Sequence, residues 1–172
     1  MGVAYSGKED VTDSVGLLIS ILVRYPEVAT INFDPDRQVL KFTFISSQVL
    51  VPADMGEIKE KLLDSIAVFN ILENRETRLS RIDCQVCEQL TMIEVQRDVE
   101  TLVQEEIALI VQLLRLQLDR HLVTDDNEPL FEEDLLIQEE IIEHMLESIR
   151  DASGDKYLFA FREEGRVLVF NK

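Results

Sequence analysis

Apolar positions in this chain change their period several times, and each change marks an element. From Asp13 to Arg24, Val15, Leu18, Ile21 and Leu22 recur at helical spacing, with Thr12 or Asp10 as N-cap and Pro26 as the stop. Ala29 to Phe33 and Gln38 to Ile45 then alternate apolar with polar around Asp34-Pro35-Asp36-Arg37, where the fixed φ of Pro suits the second turn position. This predicts a hairpin with Ile31, Phe33, Leu40, Phe42 and Phe44 inward and Thr30, Asn32, Lys41 and Thr43 toward water. Gln48 to Val51 predicts a short third strand before Pro52. Asp54 with Glu57 resembles a capping box, and Ile58, Leu62, Ile66 and Phe69 follow at helical spacing to about Asn74. Leu79 to Val86 and Leu90 to Val95 read as two further strands, with no Gly or Pro at the turn between them.

Asp98 is expected to cap the third and longest helix, ending near Leu122. One of its stripes is Val103, Ile107, Ile110, Val111, Leu114 and Leu118; a second is Leu102, Leu109, Leu113 and Leu116. A helix apolar on that much of its circumference is expected to be buried on two sides, by its own sheet and by another helix or a partner subunit. Asp125-Asp126-Asn127-Glu128-Pro129 is the only obvious linker, and it is short. The expectation is one domain over residues 1–172, with a core at 10–122 and a helix-hairpin appendage at 130–172. In the fourth helix, Glu132 to Asp151, one arc holds Leu135, Ile137, Ile141, Ile142, Met145, Leu146 and Ile149. The other holds Glu132, Glu133, Glu139, Glu140, Glu143 and Glu147. Gly154 breaks this helix, and Tyr157 to Phe161 pairs with Arg166 to Phe170 around Glu163-Glu164-Gly165.

The two ends of the chain repeat one unit at a spacing of 128 positions. Leu17-Leu18-Ile19-Ser20-Ile21 leads to Phe33 and Val39-Leu40-Lys41-Phe42; Met145-Leu146-Glu147-Ser148-Ile149 leads to Phe161 and Val167-Leu168-Val169-Phe170. A duplicated supersecondary unit packs against its copy, within one chain or between two. On this alignment Phe159, Phe161, Leu168 and Phe170 form the second core face. Leu158, Ala160, Val167 and Val169 then make the opposite face apolar too, so it needs a cover of its own. These four, with Leu109, Leu113 and Leu116, are the candidate partner or dimer surface.

Charge narrows the partners. Seventeen Lys and Arg against 34 Asp and Glu leave −17, and the densest basic cluster, Arg75, Arg78 and Arg81, is interrupted by Glu76 and followed by Asp83. Nucleic acid and anionic membrane surfaces are disfavoured. The first residues lack the basic and long apolar segments of a secretory signal, so a cytoplasmic location is expected, although Met-Gly-x-x-x-Ser fits a myristoylation pattern.

Candidate chemistry is sparse. Cys84 and Cys87 have the spacing of half a zinc site or a redox pair, but no second pair exists and His121 and His144 are distant, so two ordinary buried thiols are expected. Glu139, Glu143 and Glu147 stack at i, i+4 and read as a solvated face, or as a site for a divalent cation or a basic partner. Ile141 stands three residues before His144, which rules out an inward Glu-x-x-His. His121 is expected to complement a helix C-terminus and His144 to be partly buried. No catalytic, cofactor-binding or metal-ligating residue is assigned, and no cofactor is expected.

The predicted class is α+β, with antiparallel strands against helices in the order α-β-β-β-α-β-β-α, then α-β-β. Through Leu122, about two thirds of the chain, that order, the size and the acidity resemble the type III secretion chaperones and their fold group. The resemblance implies an acidic cytoplasmic homodimer that holds extended client segments on apolar patches; the helix and hairpin after Asp125 depart from it. The function expected is therefore non-enzymatic: protein-protein binding, chaperone-like or adaptor, with itself or another protein as partner. The alternative is a metal-dependent or carboxylate-using enzyme of unknown substrate.

Overall fold

Each predicted helix and hairpin has a counterpart in the computed structural model, which describes residues 13–125, 131–150 and 156–171, and residues 3–6 as backbone. The N-cap expected at Asp10 or Thr12, most of the linker and the break at Gly154 lie outside these residues. The elements are β1 (Val3–Ser6), α1 (Asp13–Arg24), β2 (Thr30–Asp34), β3 (Val39–Ser46), α2 (Pro52–Leu72), β4 (Ser80–Cys87) and β5 (Leu90–Asp98). Then come α3 (Gln104–Leu118) with a 3-10 turn at Asp119–His121, α4 (Glu132–Arg150), β6 (Leu158–Glu163) and β7 (Arg166–Asn171). The class is α+β as expected. One seven-stranded sheet runs β1-β7-β6-β2-β3-β5-β4, antiparallel from β7 to β4, with β1 parallel to β7 at the margin.

Period-two burial puts all the helices on one face. Ile31, Phe33, Leu40, Phe42, Phe44, Ile82, Ile93 and Val95 are buried there, against Leu17, Leu18 and Ile21 of α1, Leu62 and Ile66 of α2, and Ile107, Ile110 and Leu114 of α3. Thr43, expected to meet water, is only 4% exposed.

The local differences from expectation have local causes. Gln48 to Val51 joins no ladder: the Thr91 hydroxyl accepts from Leu50 N (2.9 Å) and donates to Gln48 O (2.9 Å), so a side chain takes the place of a strand partner. Helix α2 begins at Pro52, which suits the first helical position, so Asp54 lies inside the first turn instead of capping it. At 21 residues α2, not α3, is the longest helix. Asp98 closes the turn after β5, accepting from Thr101 N (3.0 Å) and Oγ1 (2.7 Å), and α3 starts only at Gln104. Its missing cap comes from α4: Glu143 accepts from Gln104 N at 2.8 Å. The β4–β5 turn needs no Gly because Glu88 takes φ 57°.

The two repeated units pack on each other within one chain. β2 pairs with β6, Ile31 opposite Ala160 and Phe33 opposite Leu158, while α1 lies along α4. Gly16 of α1 makes room for α4: a Cβ there would stand 2.7 Å from Met145 Cε. The residues expected to form an appendage thus continue the main sheet.

The repeat misleads on the faces of its second hairpin. Between the paired Asp34 and Val39 the first turn has four residues, Pro35 to Gln38; between Glu163 and Arg166 the second has two, Glu164 and Gly165, both at positive φ. That difference adds one residue to each arm and leaves the register unchanged, Phe33 facing Leu40 and Phe161 facing Leu168. The faces are exchanged by the β2–β6 pairing, which sets Phe33 opposite Leu158 and Ile31 opposite Ala160, and opposite residues share a face. Leu158, Ala160, Val167 and Val169 are the core face, all buried, while Phe159, Phe161, Leu168 and Phe170 point away from the helices. The four residues expected as a partner surface are covered by the chain's own helices.

Val167 and Val169 are 1% and 0% exposed, so Val167→Lys with Val169→Lys buries two ammonium groups. We expect a loss of at least about 3 kcal/mol of stability, read by urea denaturation. A variant with wild-type stability would contradict this packing.

Candidate functional site

Among the described residues no helix covers the far face of the sheet. Across its β6 and β7 end this face carries Phe159, Phe161, Leu168 and Phe170. Phe161 stacks on Phe170 with ring centroids 5.6 Å apart and meets Phe159 at 5.5 Å, and Phe170 is 41% exposed. Beside them a shallow groove of about 600 Å³ is lined by Ala29, Ile45, Val123, Phe159, Phe161 and Arg162, among others. The Arg162 guanidinium at its end is engaged, donating to Leu22 O (3.1 Å), Tyr25 O (2.9 Å) and Val28 O (2.6 Å), and so fixes the second hairpin to the end of α1. Burial holds its pKa below the usual arginine range, against the opposing pull of Asp125 and Glu27.

Most of the remaining charges of this face stand beside an opposite one, while Asp34, at the outward end of β2, accepts from the backbone of Asp36 and Arg37. Lys41 meets Glu94 at 3.0 Å, Arg81 meets Asp83 at 2.9 Å, and Glu163 stands opposite Arg166 in the ladder. In a chain of net charge −17 this is a locally balanced, partly aromatic surface. Its chemistry is that of contact: aromatic area, matched charges and no activated nucleophile.

The acids expected as a solvated helix face are in part structural. Glu139 holds Arg24 at 2.6 Å and Glu143 caps α3, while Glu147 is exposed. Glu139 and Glu143, with Glu73, Glu105, Glu140 and Arg75, border a cleft of about 340 Å³, but among the described residues no group of three or more His, Cys, Asp or Glu is placed to hold a metal ion. Cys84 and Cys87 lie three apart on β4 and so face opposite sides of the sheet, where they can share neither a disulfide nor an ion. Cys84 is half-buried, and burial pushes its thiol pKa up; Cys87 is exposed, contrary to expectation. His121, in the turn after α3, stands 3.5 Å from the Ser47 hydroxyl, and His144, expected to be partly buried, is exposed. Of the helical candidates, Leu109 and Leu113 are half-buried and Leu116 is 70% exposed, so the second stripe of α3 is covered only in part.

The largest concentration of buried charge escaped the sequence reading. Arg97 is 0% exposed and uses all five guanidinium hydrogens: on both oxygens of buried Glu106, on Asp98, on Leu79 O (2.9 Å) and on Thr101 Oγ1 (3.0 Å). Asn70 Nδ2 adds a bond to Glu106 at 2.8 Å. Only the polar side chain at an inward β5 position could have signalled it. The network ties α2 and α3 to β5 and is sealed from solvent; the Arg97 guanidinium is fully used, and Asn70 Oδ1 is its buried oxygen left without a partner among the described residues. No protein-family model, no curated protein and no solved structure matches this chain. What defines it is therefore its architecture: an α+β protein whose sheet is helix-covered on one side and open on the other.

Glu106→Gln leaves the Arg97 charge buried with half its compensation, and should cost about 3–5 kcal/mol in chemical denaturation, whereas replacing Arg97 and Glu106 together by Met and Leu should cost less than the two single changes added. Burial raises the Asp98 pKa, but the bonds from Leu79 and Thr101 and the Arg97 charge outweigh it and hold the carboxyl below its usual range. Its stabilisation is thus present above the unfolded-state value of about 3.9 and lost as pH falls through the lower folded value. Asp98→Asn should accordingly destabilise by about 1–3 kcal/mol at neutral pH, with the difference from wild type narrowing in acid; a pH-independent difference would refute the assignment.

Proposed function

We propose that this protein is non-enzymatic and acts by binding a protein chain, as a chaperone-like or adaptor module, through the open face of its sheet. The observation that carries the reading is the run Phe159, Phe161, Leu168 and Phe170 on a face that no helix among the described residues covers. Phe170 is exposed and the other three are half-buried against one another, and aromatic side chains are what binding surfaces concentrate. The balanced charges of the face remove the long-range repulsion that a chain at −17 presents to acidic partners elsewhere. The alternative, a carboxylate-using or metal-dependent enzyme, would draw on the acid-bordered cleft, but Glu139 and Glu143 there are committed to Arg24 and to the start of α3.

A photo-crosslinking amino acid in place of Phe161, in cells producing the protein, should give a discrete protein adduct, and the same group at Leu116 on the helical side should not. No adduct from position 161, or the same adducts from both positions, would overturn the reading.

A further inference from the structure

We infer that the partner seated on the open face is a second copy of this chain, packed sheet against sheet. The inference rests on the binding reading above and gives it an occupant. Size is the first argument. Seven strands at spacings of about 4.8 Å span roughly 29 Å, and strands of about six residues extend roughly 20 Å. That is a projected area of about 600 Å², which side-chain relief raises toward the roughly 800 Å² per partner of a stable interface.

Electrostatics is the second argument. Two chains at −17 repel on most approaches, because the acids concentrate on the helices: Glu57 and Glu60 on α2, Glu105 on α3, and Glu132, Glu133, Glu140 and Glu147 on α4. The open face is nearer to neutral: Lys41 pairs with Glu94 and Arg81 with Asp83, Arg166 stands opposite Glu163 in the ladder, and Asp34 adds one acid at its turn. Contact through it places the two helical layers on the outside, separated by both sheets and the roughly 10 Å between them. That distance exceeds the Debye length of about 8 Å at physiological salt, so the acidic layers scarcely sense each other. A polybasic partner would be drawn to the helical side instead.

Shape is the third. Twisted antiparallel sheets stack at about −30°, and a two-fold axis near Phe161 sets the Phe161 and Phe170 pair of one copy against the same pair of the other, a self-complementary contact.

Sedimentation velocity across the micromolar range should show a dimer for the wild type. Phe161→Asp with Phe170→Asp should give a monomer with unchanged circular dichroism, because both side chains lie outside the core, and Leu116→Asp should remain dimeric. A monomeric wild type, a dimeric Phe161→Asp/Phe170→Asp variant, or dissociation by Leu116→Asp as well would overturn the inference. Should the double variant fail to fold, Phe161→Cys, at the axis, in a Cys84→Ser/Cys87→Ser chain decides: oxidation to a covalent dimer supports the contact and its absence overturns it. A monomeric wild type whose position 161 still crosslinks to a different protein defeats only the self-partner; no adduct at all defeats the binding reading itself.

Discussion

Ile31 faces Ala160 and Phe33 faces Leu158 across the ladder between β2 and β6, and the rest of the molecule follows from that pairing. It joins two hairpins far apart in sequence into one sheet, brings α1 and α4 together above it, and leaves β1 and β4 as the margins. Two arginines of the later unit reach back to carbonyls of earlier elements, Arg162 to the end of α1 and the loop before β2, and Arg150 to the loop between β5 and α3. Arg162 takes Leu22, Tyr25 and Val28, and Arg150 takes Val99 (3.0 Å) and Leu102 (2.7 Å). Each satisfies backbone oxygens at places where the chain leaves regular structure.

Much of this was legible in the residues. Period and breakers located α1, the first hairpin, both later strand pairs and α4 to within a few positions, since those elements are specified locally by spacing, Pro and Gly. Three features were not, and each is non-local. The cap of α3 is Glu143, 39 residues away. The Arg97 network assembles from α2, α3 and β5. The orientation of the second hairpin is set by the register between β2 and β6, which puts Phe33 opposite Leu158 and which no repeat aligned at constant spacing reveals. For the candidate site this last point is decisive: all eight hairpin residues were recognised as apolar, but the buried and open sets were exchanged.

The distribution of charge has the same one-sided logic as the packing. Acids crowd the helical layer, where Glu139 and Glu143 fasten α4 to α1 and α3, and on the sheet's far side Lys41 pairs with Glu94 and Arg81 with Asp83. Tyr25 belongs to the fastened side: burial pushes its pKa up to about 12, partly offset by Arg24, while Gln104 bonds its hydroxyl. Folding thus sorts an acidic sequence into an acid-rich helical side and a less charged sheet face that carries aromatic side chains.

A temporal consequence follows from the strand order. β1 lies beside β7 and β2 beside β6, so the inner strands of the sheet have no neighbour on one side until the ribosome has delivered both members of the second hairpin. At about 5–20 residues per second that interval lasts many seconds, during which a nascent chain carries an unpaired β2 rim and a bare flank of α1. Its biogenesis therefore includes a window of exposure that the finished molecule no longer betrays.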